Sequence, residues 1–239
     1  MRTMASLEGT TLDHKIRDAE SLLAEIVQDF RPAALASSLG AEDMVLTDLI
    51  LSRELDIDIF TLDTGRLHNE TLGLIQTVRE RYGRAIEVYF PDRAEVERYA
   101  REHGPNAFYS SVDLRKACCE IRKVAPLKRA LKGKASWITG LRRQQSITRR
   151  GLPAREWDAE NGIEKFNPLA DWSTEEVWAY IKRFDVPYNP LHDQGFASIG
   201  CGPCTRAITA GEDIRAGRWW WENAEPPECG LHLKTERIR

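Results

Sequence analysis

Apolar residues recur at helical spacing in Leu12, Ile16, Ala19, Leu22, Leu23, Ile26 and Val27, which predicts a helix over Leu12–Phe30. Pro32 closes it. The pattern then changes to a short apolar stretch, Ala33–Ser38, read as a buried strand. The run enters a small-residue turn, Ser37-Ser38-Leu39-Gly40-Ala41-Glu42-Asp43, and a helix over Met44–Leu55 follows, with Val45, Leu46, Leu49 and Ile50 on one side. Ile57–Leu62 is the next predicted strand and ends in Asp63-Thr64-Gly65-Arg66. Helix Asn69–Tyr82, strand Ala85–Phe90 and helix Ala94–Glu102 continue the alternation. A β-α-β-α-β order predicts an α/β fold, a Rossmann-like parallel sheet with helices on both faces. Ligands of such sheets bind beyond the C-terminal strand ends, which puts the serine turn and Asp63-Thr64-Gly65 on one rim.

Farther along, Val112–Leu131 is predicted helical and Ser136–Thr139 a strand. That strand leads into a loop holding Arg142, Arg143, Arg149 and Arg150. Guanidinium groups donate paired hydrogen bonds, so this loop is a candidate clamp for phosphate or sulfate, against the plainer reading of a solvated basic loop. Ser173 with Glu176 has the form of a capping box and opens a helix through Phe184. After Val186–Asn189 comes a Gly- and Pro-rich loop, then Gly211–Trp221 with Arg215, Arg218 and three consecutive tryptophans assigned to core or interface. Pro226-Pro227 precedes a polar tail. The expected organisation is one domain over residues 1–221 and a mobile C-terminal tail over 222–239.

Composition narrows the function class. With 239 residues, 42% of them hydrophobic, the chain can bury a full core. No apolar run approaches the ~20 residues that span a bilayer, and the N-terminus lacks a signal-peptide pattern, so no membrane association and a cytoplasmic location are expected. A net charge of −3 argues against general nucleic-acid binding. The locally clustered arginines suit a small anion instead.

The candidate chemistry lies in the cysteines. Cys118 and Cys119 are adjacent in Asp113–Val124, Cys201-Gly202-Pro203-Cys204 is a second pair, and Cys229 stands alone in the tail. An odd count with this spacing fits metal or redox chemistry better than a disulfide framework. Four thiolates suit zinc or an iron–sulfur cluster. Adjacent residues on a helix project about 100° apart, a divergence that a larger cluster spans more easily. Spacing therefore favours iron–sulfur, modestly.

Taken in order, Ser37–Asp43, Leu62-Asp63-Thr64-Gly65, Cys118-Cys119 with Ile121-Arg122-Lys123, Thr139-Gly140 with Arg142-Arg143, Cys201–Cys204, Arg218–Trp221 and Glu228-Cys229-Gly230-Leu231-His232 resemble the adenylyl-sulfate/phosphoadenylyl-sulfate (APS/PAPS) reductase family, on its thioredoxin-dependent APS branch. Leu39 departs from members that carry a second serine there. The resemblance implies a fold of the adenine-nucleotide α-hydrolase type and a [4Fe-4S] cluster on Cys118, Cys119, Cys201 and Cys204. It implies that Cys229 is the nucleophile, with Lys123, Arg215, Arg218 and His232 around the sulfate and the thiol. Ser37, Gly40, Asp63, Gly140 and Arg149 fall in or near the nucleotide pocket. The implied activity is reduction of APS to sulfite and AMP by thioredoxin through a cysteine S-sulfonate, in assimilatory sulfate reduction. Family members are often oligomeric, and the tryptophan run offers an interface. The alternatives are PAPS or dual use, a non-catalytic iron–sulfur redox sensor, and a zinc-stabilised ATP-cleaving ligase on the same fold.

Overall fold

The structure, a computed structural model, describes residues 4–146, 149–209 and 211–222. Helix α1 (Met4–Asp29) leads into strand β1 (Ala33–Ala36), helix α2 (Ala41–Leu51) and strand β2 (Asp58–Leu62). Helix α3 (Asn69–Tyr82), strand β3 (Glu87–Tyr89) and helix α4 (Arg93–His103) follow. Then come α5 (Val112–Cys119), α6 (Ala125–Ala130), β4 (Ser136–Ile138), β5 (Arg155–Asp158), β6 (Ile163–Phe166) and α7 (Thr174–Phe184).

The six strands form one sheet in the order β3-β2-β1-β4-β6-β5. β1 runs parallel to β2, with Leu35 opposite Ile59, and to β4, with Leu35 opposite Ile138. β4 and β6 are parallel, with Ile138 opposite Phe166. β5 pairs antiparallel with β6, so the expected parallel sheet carries one antiparallel edge strand. Their turn explains the reversal: Asp158 accepts from the backbone of Glu160 and Asn161, and Gly162 takes a left-handed φ of 68°.

The chain divides into two compact units. Among the described residues, the first lies within Met1–Thr61, Asn69–Glu87 and Leu131–Pro190, and the second within Leu62–His68, Val88–Ala130 and Leu191–Arg239. The first unit holds the main apolar core, including Leu23, Ile26, Leu35, Leu46, Leu49, Ile59, Phe166, Trp172 and Tyr180. α2 is buried at every position except Glu42, which is why its sequence is apolar nearly all round rather than striped. α7 begins as its sequence predicts: Glu176 N donates to Ser173 Oγ while Ser173 N donates to the Glu176 carboxylate.

In the second unit the helix expected over Val112–Leu131 is broken into three. Ser111 caps α5 by accepting from Leu114 N. Residues Glu120–Val124 then form a π turn before α6 resumes. The cause is Pro126, whose ring lacks an N–H and clashes with the carbonyl four residues back. Widening the turn relieves that clash, and Ala125 N reaches back five residues to Glu120 O. The widened turn carries Arg122 and Lys123 immediately after the cysteine pair.

Candidate functional site

Two sets of candidate residues emerge, one in each unit. In the first unit, the turn after β1 is organised by Asp43. Its Oδ2 accepts from Ser38 N and Ser38 Oγ, both at 2.6 Å, and its Oδ1 accepts from Gly140 N at 3.0 Å. One carboxylate thus ties the β1–α2 turn to the residue just beyond β4. Gly140 has no alternative there: a Cβ would lie 2.3 Å from Asp43 Oδ1 and 2.9 Å from Glu42 Cβ. Ser37 Oγ accepts from Leu39 N, and Gly40 N donates to Ser38 Oγ, so the turn satisfies much of its own backbone. Ser37, Gly40 and Gly140 are therefore gathered around the ends of β1 and β4.

The arginine loop differs from expectation. Arg142 is 1% exposed and committed to protein partners, donating to Glu42 Oε1 at 2.9 and 2.7 Å, to Trp172 O at 3.0 Å and to Thr174 Oγ1 at 3.2 Å. Arg143 donates to Leu152 O and pairs with Asp171. Arg149 donates to Gln145 Oε1 at 2.7 Å. Burial beside Glu42 made Arg142 a structural strut rather than part of a solvent-facing clamp.

Burial pushes the Asp43 carboxyl up to about 6, the three donated hydrogen bonds only partly opposing it. A folded-state value above the unfolded one means the folded chain binds the extra proton between about pH 4 and 6, so this group's contribution to stability falls as pH rises through that window. Asp43→Asn mimics the protonated form. Its stability relative to the wild type is expected to improve by roughly 2 kcal/mol from pH 4 to pH 7. Parallel pH profiles in denaturant melts would contradict this.

The second unit holds the cysteine site. Cys118, Cys119, Cys201 and Cys204 line a single pocket together with Arg66, Phe108, Arg115, Arg122, Lys123, Pro203, Arg218 and Trp219. Both cysteine pairs thus line one pocket. Among the described residues, no group of three or more His, Cys, Asp or Glu side chains is gathered closely enough to hold a metal ion. The cations matter electrostatically. Burial pushes Cys204 up to about 12, with the neighbouring Cys201 adding to it, and burial also raises Cys118. Cys201 is more deeply enclosed than either, yet Lys123, the Thr64 hydroxyl, Arg218 and Arg122 outweigh burial and bring it below the usual thiol range.

Thr64 explains part of this. Its Oγ1 accepts from Arg66 N at 3.2 Å and lies 3.2 Å from Cys201 Sγ, leaving its own proton for the sulfur. Arg122 Nη1 donates to Thr64 O at 2.6 Å. Asp63 accepts from Gly65 N at 2.8 Å and shapes this turn without lining the pocket. Gly200 makes room on the opposite segment, since a Cβ there would meet the Arg218 guanidinium at 2.4 Å. Arg218 Nη1 reaches Ser198 Oγ and Ile199 O at 3.4 and 3.3 Å, while its buried Nε has no hydrogen-bond partner.

Of the residues singled out in the second unit, Lys123 and Arg218 join the cysteines at the pocket, and Arg215 lies in the preceding turn, outside the lining. Cys229 and His232 lie outside the described residues. Arg66, Arg115, Arg122 and Trp219 line the pocket without having been singled out for chemistry. For Arg66 and Arg122 the signal was their adjacency to Gly65 and Lys123; for Arg115 it was helical phase, four residues before Cys119.

Residues 32–207 match the family model described as phosphoadenosine phosphosulfate reductase domain. The adenosine 5'-phosphosulfate reductase of Allochromatium vinosum is 58% identical over 233 residues, covering 98% of this chain and 91% of that protein. The enzyme of the same name from Burkholderia cepacia is 58% identical over 221 residues, covering 92% and 88%. Among solved structures, the phosphoadenylyl-sulfate reductase of Candida auris, in a phosphate complex, superposes with a TM-score of 0.68 at 30% identity, covering 82% of this chain and 96% of that one. An FMN adenylyltransferase of Candida glabrata, at 16% identity and a TM-score of 0.58, shares the fold.

Proposed function

Because this chain belongs to the phosphoadenosine phosphosulfate reductase family, we propose that it reduces APS to sulfite and AMP with a thioredoxin-like dithiol as reductant. The observation that carries the reading is the pocket itself: four cysteines from two distant segments meet a ring of Arg66, Arg122, Lys123 and Arg218. The relatives named for APS add the substrate.

The donor set fits a [4Fe-4S] cluster. Four thiol side chains face one pocket, including two adjacent helical cysteines whose directions diverge by about 100°. Bound there, the cluster supplies structural and electrostatic support, and no electron step is routed through it. The cations offset thiolate charge and hold an anionic sulfonate.

The reaction then needs one nucleophile, assigned to Cys229 on the tail over 222–239. A free thiol with a pKa near 8.5 is only a few per cent thiolate at neutral pH, so nearby cations help by favouring the charged form. The Cys229 thiolate attacks the APS sulfur, and the bond to the AMP oxygen breaks, AMP leaving with the electron pair. Bringing two anions together is the main task, and Lys123 and Arg218 serve it. Asp63, Ser37, Gly40, Gly140 and Arg149 are assigned to nucleotide binding, and Arg215 and His232 to the surroundings of the sulfate and thiol. A thioredoxin thiolate next attacks the Cys229 sulfur and sulfite departs; the second thioredoxin thiol resolves the mixed disulfide and restores Cys229.

PAPS use is the second reading, favoured by the similarity to the Candida auris enzyme. The deciding measurement is sulfite release from APS and from PAPS at equal concentrations with reduced thioredoxin. A kcat/KM at least tenfold higher with APS is expected; equal values would give dual use, and sulfite from PAPS alone would reverse the assignment.

A further inference from the structure

Within the second unit, Arg115 is 2% exposed and sits on α5, four residues before Cys119. It is committed to a two-point ion pair: Nε donates to Glu222 Oε1 at 2.8 Å and Nη2 to Glu222 Oε2 at 3.0 Å. Both side chains are almost fully enclosed, at 3% and 4% exposure. Against the cost of burying the guanidinium, the Glu222 carboxylate and, after it, Cys119 favour the charged form, so Arg115 stays charged. Arg115 also donates to the Cys119 side chain.

The pair lies beside a second arginine of different standing. Arg115 and Arg218 both hold their guanidinium carbons 4.7 Å from the centroid of the Trp219 ring. Trp219 and Glu222 belong to one turn, closed by Glu222 N donating to Trp219 O at 2.9 Å. That turn is fastened to the second cysteine pair by Trp219 N donating to Cys204 O and by the bridge between Thr205 and Arg218. Arg218 has no carboxylate partner among the described residues, and its Nε is buried without an acceptor. Glu222 is four residues from Arg218 in sequence, and its partner Arg115 meets the same Trp219 ring as Arg218.

We propose that Arg115 is a positioning residue: by holding Glu222 in a buried two-point ion pair, it keeps that carboxylate off Arg218 and leaves the Arg218 charge for the anionic group of the substrate. This rests on the reading of Arg218 as an anion-binding residue. A fork-shaped guanidinium is suited to the task, because it occupies both carboxylate oxygens at once. Removing Arg115 alone leaves the buried Glu222 carboxylate without its partner, free to seek the remaining guanidinium on the Trp219 ring. Removing both partners in favour of apolar groups of similar size leaves no competing carboxylate.

The experiment compares wild type, Arg115→Met and the double variant Arg115→Met/Glu222→Leu, each loaded with its iron. APS affinity and single-turnover formation of the protein sulfonate are measured, with melting temperature recorded in parallel. Arg115→Met is expected to bind APS at least tenfold more weakly and to slow adduct formation by a similar factor. The double variant should return to within about threefold of wild type on both readouts. Wild-type behaviour in Arg115→Met overturns the proposal, and so does a folded double variant as impaired as the single one. If Arg115→Met does not fold, the double variant decides alone: it must bind APS within threefold of wild type. If the wild type binds APS but gains no sulfonate, the S-sulfonate reading fails, and the affinity comparison still tests Arg115.

Discussion

Incubated with APS and no reductant, the wild-type protein should gain one covalent sulfonate, carried by the peptide containing Cys229. Reduced thioredoxin should then remove it with stoichiometric release of sulfite. The expectation follows from the division of labour among five cysteines. Four of them converge on one pocket, leaving Cys229 as the thiol outside the paired sites. Cys229→Ser should keep its iron and bind APS with unchanged affinity, because a serine hydroxyl alters neither the four-cysteine pocket nor its cations. Its turnover should fall by roughly a thousandfold or more, the scale on which removing a nucleophile acts. Mass spectrometry of the single-turnover mixture checks the adduct, and a sulfite assay checks the turnover. An adduct on Cys118, Cys119, Cys201 or Cys204, or sulfite production by Cys229→Ser, would move the chemistry elsewhere.

How much of this was legible in the residues depended on whether a feature was local. The fold class followed from alternating periodicities, and Asn69–Tyr82 was recovered to the residue because its spacing and ends agree. The capping box at Ser173 was equally visible, being a four-residue pattern with one physical meaning. β5 and β6 were not predicted. Arg155–Asp158 and Ile163–Phe166 are short and rich in charge, and their strand character comes from pairing: Lys165 bonds Glu156 across the hairpin at 3.2 Å and lies 5.3 Å from the Trp137 ring centroid. The break at Glu120–Val124 was hidden in a good helical pattern, although Pro126 was its signal.

At the site, residue types were legible but their partners were not. Arg142 and Arg218 read alike in the sequence. Burial against Glu42 commits the first to holding the first unit together, whereas Gly200 clears space for the second beside the cysteines. Trp219 read as core, which its 2% exposure supports, but two guanidinium groups against one indole give that core position a place in the pocket wall. Distances of 107 residues, as between Arg115 and Glu222, leave no periodicity to read.

Loss of any pocket cysteine carries the other large effect. Cys201→Ser should purify without a full complement of iron and acid-labile sulfide, and its APS-dependent sulfite formation should be essentially abolished. The physical reason is specific to this position. Cys201 is 8% exposed, receives the Thr64 hydroxyl and faces Lys123, Arg218 and Arg122, which together bring its thiol below the usual range. It is therefore more readily supplied than Cys118 or Cys204 as thiolate, the form that ligates metal. Serine keeps the shape but has no comparable anionic form near neutral pH. Weakening an outer-shell partner typically costs a metal site about 10–100-fold, so removing this ligand should cost more, and Thr64→Val should fall in that milder range. Anaerobic purification with iron and sulfide assays, beside single-turnover sulfonation, separates the two variants. Full iron content together with wild-type turnover in Cys201→Ser would exclude the four-cysteine cluster.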